Sequence, residues 1–99
     1  MSDQRSNNKT FPTIQHMIDN MLECGDVVWV HEGIHYAIAS GRDINGKRTW
    51  DFQYKDERTM KFVFPEYGHF YTIEDAINAK IINGKSLVDL FDVADFSDN

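Results

Sequence analysis

From Asp26 to Pro65 the chain alternates at period two, and this run constrains the fold more than any other feature. Val27-Val28-Trp29-Val30-His31 is rich in β-branched and aromatic residues, and Ile34, Tyr36 and Ile38 then alternate with His35, Ala37 and Ala39. Trp50, Phe52 and Tyr54 alternate with Thr49, Asp51 and Gln53, and Met60, Phe62 and Phe64 with Lys61 and Val63. Such alternation marks strands that bury one face. Turn chemistry at Glu32-Gly33, Asn45-Gly46 and Lys55-Asp56-Glu57-Arg58 divides the run into four strands. Connections this short exclude parallel crossovers and predict an antiparallel meander. Ile34, Tyr36, Ile38, Trp50, Phe52, Tyr54, Met60, Phe62 and Phe64 are expected on one aromatic face. His35, Thr49, Asp51, Gln53 and Lys61 are expected on a wet opposite face.

Helical patterns flank the sheet. Phe11, Ile14, Met17, Ile18, Met21 and Leu22 follow an i, i+3, i+4, i+7 stripe, with Thr10 or Thr13 able to cap its start and Gly25 its end. Glu66-Tyr67-Gly68-His69-Phe70-Tyr71 reads as a connector or a short fifth strand. Thr72-Ile73-Glu74-Asp75 opens a second helix that Asn83-Gly84 is expected to end, and Ser86-Leu87-Val88-Asp89 opens a third, short one. The prediction is an α+β fold: an N-terminal helix, an antiparallel meander sheet of four to five strands, and two short C-terminal helices. One domain over residues 10–96 is expected, with disordered ends at 1–9 and 97–99.

Composition bears on class. Hydrophobic residues at 41% and aromatics at 13% provide a core and exclude a disordered polar chain. No apolar run reaches the ~20 residues of a membrane helix, and the polar start lacks the apolar stretch of a signal peptide. The lone Cys24 has no internal disulfide partner, so a cytoplasmic setting is expected. The same cysteine is expected to be a half-buried filler at its helix's C-terminal end, where the dipole disfavours a thiolate. A net charge of −6 repels phosphate backbones, so direct nucleic-acid binding is not expected. The basic residues of the middle third, Arg42, Lys47, Arg48, Lys55, Arg58 and Lys61, are interleaved with Asp43, Asp51, Asp56 and Glu57 and form no stripe.

The segment from Ile73 to Asp92 resembles the ending of a set of small uncharacterised Gram-positive bacterial and phage-associated proteins. Ala79, Asn83, Gly84, Lys85, Ser86, Leu87, Leu90, Phe91 and Asp92 carry the likeness. Val30-His31-Glu32-Gly33-Ile34-His35-Tyr36-Ala37-Ile38 is similar to their first hairpin. The resemblance implies a hairpin sheet followed by this tail, and a phage or mobile-element origin. It transfers no activity and no site.

His31-Glu32-Gly33-Ile34-His35 is a literal H-E-x-x-H. On a helix, histidines four apart share a face and ligate zinc while the glutamate activates the metal-bound water. Val27, Val28 and Val30 before the string, Gly33 within it and Tyr36 and Ile38 after it argue for a hairpin instead. His69, Glu66 and Glu74 are third-ligand candidates without diagnostic spacing. His69 with Glu66, Tyr67 and Tyr71 is also a candidate acid–base cluster, against the plainer reading of a polar loop histidine. No cofactor motif is present, and none is expected.

Tyr67, Phe70 and Tyr71 fall outside the regular alternation and are candidate exposed anchors for a protein partner. Asp89, Asp92, Asp95 and Asp98 recur every third residue and are candidates for an acidic docking stripe toward a basic partner. The leading expectation is a small non-enzymatic interaction or regulatory module whose partner is a protein, a second copy of itself included. One concrete form is a mobile-element inhibitor seated in a basic nucleic-acid channel. The alternatives are a metal-dependent hydrolase using His31, Glu32 and His35, and a small-molecule-binding domain with its pocket between the first helix and the sheet.

Overall fold

Thr13 starts the first helix, α1 (Ile14–Cys24): its hydroxyl accepts the His16 N–H at 3.1 Å, and Gly25, at φ 90°, returns its own N–H to the Met21 carbonyl at 2.8 Å. The structure is a computed structural model that describes residues 11–96, so the ends expected to be disordered, and Asp98, lie outside the described residues. The helical period buries Met17 and Met21 completely, with Ile14 and Ile18 packed beside them. Leu22, expected on the same stripe, is exposed.

Four strands follow as the expected antiparallel meander, in the spatial order β1 (Asp26–His31), β2 (Ile34–Arg42), β3 (Arg48–Asp56) and β4 (Lys61–Val63). A 3-10 turn at Glu66–Gly68 leads into β5 (His69–Phe70), which also pairs with β3. Strands β4 and β5 therefore share one edge of β3: β4 runs along Tyr54–Asp56, and β5 sits opposite Trp50 and Asp51. Helix α2 (Ile73–Asn78) is capped by Thr72, whose hydroxyl accepts the Asp75 N–H at 3.0 Å.

One core lies between the sheet and the flanking helices and turns. Val27, Trp29, Tyr36, Ile38, Trp50 and Phe52 supply the sheet side, and Met17, Met21, Ile73, Ile77, Leu87 and Phe96 much of the rest. Trp29 stacks on Tyr36 with centroids 5.5 Å apart, and Phe11 meets Phe96 edge-on at 5.3 Å. Each fully buried side chain of this size contributes about 1.5–3 kcal/mol through removal from water. The space between α1 and the sheet, the expected place for a ligand pocket, is occupied by Met17 and Met21. Among the described residues no helix is long and apolar enough to cross a membrane.

The register of β4 differs from expectation. The β3–β4 connection runs to Met60, which adopts φ 60° and donates its N–H to the Asp56 carbonyl at 2.7 Å. This longer turn puts Val63, not Phe62 or Phe64, across from Tyr54, and puts Phe62 across from Lys55. A shift of one residue exchanges the two faces of a strand. Met60, Phe62 and Phe64 are consequently exposed and leave the aromatic face to β1–β3. The opposite face is drier than expected, because Ala37, Thr49 and Gln53 on it are buried.

The C-terminal region departs in detail from two regular helices. Helix α2 stops at Asn78, and Asn83-Gly84 forms the tip of a tight turn whose flanks, Ile82 and Lys85, exchange backbone hydrogen bonds at 2.9 and 3.0 Å. Ser86 and Asp89 cap one another reciprocally at 3.0 Å, as the sequence suggested. The segment beyond coils through consecutive turns, with bonds such as Leu90 N–H to Ser86 O at 3.1 Å and Ala94 N–H to Leu90 O at 2.8 Å. Val88, Asp89, Asp92 and Val93 are weak helix formers, and Asp95 is drawn into a two-way backbone bridge with Val30 on the β1 edge at 2.9 Å, which ends the coil.

Candidate functional site

The H-E-x-x-H string forms a two-residue hairpin. Glu32 and Gly33 take φ 51° and 80°, the positive values of the tight turn that best matches strand twist. His31 pairs with Ile34, and His35 with Val30. Paired residues share a face and successive residues alternate, so His31 lies on the core side of the sheet and His35 on the other. The helix that would bring both imidazoles to one zinc is replaced by a turn that separates them. His31 is largely buried, with its Nε2 3.9 Å from the Glu32 carboxylate. Of the third-ligand candidates, His69 is engaged by Asp51, Glu66 lies in the 3-10 turn and Glu74 in the first turn of α2. Among the described residues no group of three His, Cys, Asp or Glu side chains is placed to hold a metal ion.

The three aromatic anchor candidates diverge. Phe70 lies opposite Trp50 and packs, half-buried, against the core. Tyr67 is exposed beside a groove lined by Ile34, Tyr54 and Ile81. Tyr71 donates its hydroxyl to Asp43 at 2.8 Å and carries Lys47 Nζ 4.8 Å above its ring. The acidic candidates diverge too. Asp89 caps the C-terminal turn and takes Lys80 Nζ at 2.7 Å, and these donors, Lys80 foremost, hold its carboxyl down at about 2. Asp92 is exposed, whereas Asp95 is half-buried in the bridge to Val30. Cys24, expected to be half-buried, is exposed, with Sγ 3.5 Å from Asn20 Oδ1.

Two arrangements come forward that the sequence did not disclose. The first is apolar. Met60, Phe62, Phe64 and Tyr67 are 63%, 42%, 54% and 61% exposed, on β4 and the chain on either side of it. Strand β4 lies at one edge of the sheet, and from Lys55 to Tyr67 the chain carries Lys55, Arg58 and Lys61 against Asp56, Glu57 and Glu66. This stretch is balanced in charge, against −6 for the whole chain. The second is polar. His69 Nδ1 and Asp51 Oδ1 lie 2.8 Å apart on the face away from the core, beside the Tyr71–Asp43 pair. Asp43 is held below the usual carboxylate range by the Lys47 N–H first and the Tyr71 hydroxyl second, and Tyr71 is raised in turn by Asp43. His69 thus meets Asp51, 18 residues away in sequence, and not the Glu66 of its own loop.

Comparisons with family models, with curated proteins and with solved structures find no match for this chain.

Proposed function

We propose that the protein is a small interaction module that docks a protein partner along the β4 edge. The observation that carries this is the exposure of Met60, Phe62, Phe64 and Tyr67 together at one edge of the sheet. Large aromatic and methionine side chains left in water are costly on a surface and are favoured as interface anchors. An edge strand also offers backbone groups to an added strand. With Lys55, Arg58 and Lys61 balanced by Asp56, Glu57 and Glu66, the apolar side chains select the occupant, an extended segment apolar at alternate positions.

The test is affinity capture with the full chain against the same chain carrying Phe62→Ser and Phe64→Ser. A stoichiometric partner that the double variant loses, while its thermal melt matches the parent, supports the reading. A partner retained by that variant and lost from Asp92→Lys moves the interface to the acidic end. Sedimentation of the purified chain separates self-pairing of β4 edges, seen as a concentration-dependent dimer, from a heterologous partner.

A further inference from the structure

Building on the reading of β4 as a docking edge, we propose that its occupant is the β4 strand of a second copy of this chain, paired antiparallel about a two-fold axis at Phe62. The occupant that the edge selects is extended and apolar at alternate positions. Met60, Phe62 and Phe64 give β4 and its flanks that same pattern. Among the described residues no segment pairs with β4 on the side away from β3, so that side is open to an added strand.

Charge distinguishes a second copy from other partners. A two-fold interface sets one patch against itself, so a patch of single sign repels its twin. The whole chain carries −6, yet from Lys55 to Tyr67 the basic residues Lys55, Arg58 and Lys61 balance Asp56, Glu57 and Glu66. This stretch meets its own copy without net repulsion. The nearest charges flanking the strand also differ in sign, Arg58 before it and Glu66 after it. Both residues are exposed, and neither side chain has an ion-pair partner among the described residues.

The register follows from strand geometry. Tyr54 packs against the core, so Val63 opposite it is on the core face, and Lys55 and Phe62 are on the outer face. Residues paired across a ladder share a face, so the axis falls at a residue and not between two. An axis at Lys61 sets two like charges directly opposite, which is destabilising. An axis at Val63 sets Glu66 against Met60 and Arg58 against Gly68, so neither ion gains a partner. An axis at Phe62 sets Phe62 against its own copy, Met60 against Phe64 twice and Arg58 against Glu66 twice. Lys61 then meets Val63 of the second copy and keeps Asp56 opposite it within its own chain. Of the three, this register alone joins the exposed apolar side chains and pairs both flanking charges.

The test is sedimentation equilibrium of the purified chain across a range of concentrations, with the backbone amides followed by NMR. The average mass is expected to rise from one chain toward two, with the Lys61, Phe62 and Val63 amides shifting over the same range. The Phe62→Ser, Phe64→Ser chain is expected to stay monomeric with its amide spectrum otherwise preserved. Arg58→Glu and Glu66→Arg are each expected to weaken the dimer about tenfold, because the axis repeats every changed contact. An equimolar mixture of these two variants is expected to dimerise as tightly as the parent, since one then carries two anions at the paired positions and the other two cations. A parent chain that stays monomeric at every concentration overturns the pairing, and so does a dimer that Phe62→Ser, Phe64→Ser retains. A dimer indifferent to both charge reversals, or not restored by the mixture, overturns the Phe62 axis. A monomeric chain that still captures another protein through Phe62 and Phe64 loses the second copy as occupant and keeps β4 as a docking edge, whereas failure of both removes the edge itself.

Discussion

Phe62 stands across the β3–β4 pair from Lys55, one residue out of the register that would have placed it beside Tyr54. An aromatic residue whose sequence pattern marks it for the core is thereby delivered to the surface. Its contribution to stability should be small, because burial is what an aromatic contributes by. Phe62→Ser and Phe64→Ser are each expected to change the unfolding free energy by no more than about 0.5 kcal/mol. Phe52→Ala, in the same sheet but buried against Trp29 and Tyr36, is expected to cost about 3–5 kcal/mol. Urea denaturation of the three variants checks the contrast; a large loss from Phe62→Ser would mean that β4 pairs in the other register.

The hairpin at Glu32-Gly33 sends His31 and His35 to opposite faces, so the pair cannot converge on one ion. Zinc added to the purified chain is expected to bind without stoichiometry and without raising the melting temperature, and His31→Ala and His35→Ala are not expected to alter that result. Calorimetric titration with one-to-one binding abolished by either substitution would show that the hairpin rearranges around metal.

How far the sequence discloses the structure depends on the range of the interactions. The α1 cap at Thr13, the tight turn at Gly33 and the alternation of β1–β3 follow from neighbouring residues, and each forms as its local chemistry dictates. The β4 face was hidden because it turns on whether the connection ends at Arg58 or at Met60, and alternation on a short strand fits either register. The run after Ser86 reads as a helix from its cap and apolar spacing, yet Asp95 is claimed by β1, a contact no local pattern reveals. The polar arrangement was invisible for the same reason: Asp51 meets His69, and Asp43 meets Tyr71, only once β5 has docked on β3.

Trp29 is fully buried, and its indole Nε1 has no hydrogen-bond partner among the described residues. An orphaned buried donor carries a desolvation cost of about 1–3 kcal/mol. Trp29→Phe removes that donor while keeping a ring against Tyr36, so the lost area and the relieved cost oppose each other. The substitution is expected to destabilise by about 1 kcal/mol or less, against about 3–5 kcal/mol for Trp29→Ala. Equilibrium unfolding followed by far-UV dichroism gives both values, and a Trp29→Phe loss as large as that of alanine would show that the indole N–H is satisfied.

Asp89 is the acidic residue whose structural role is most sharply defined. Lys80 Nζ, the Ser86 backbone N–H and the Ser86 hydroxyl lower its carboxyl from the ordinary 3.8 to about 2. A carboxyl depressed in the folded state binds its proton more readily when the chain unfolds, so its stabilisation is present above the unfolded value and fades as pH falls toward the folded one. Asp89→Asn is therefore expected to lower the melting temperature at neutral pH, with the gap to the parent closing between about pH 4 and pH 2. The group is exposed, so salt should shrink the Lys80 share of the effect while the Ser86 cap persists. Lys80→Met separates the two: it should reproduce the salt-sensitive part of the loss and spare the rest. Melting curves of the three chains across this pH range, at low and high salt, measure the partition, and a pH-independent gap for Asp89→Asn would place its contribution in packing and not in charge.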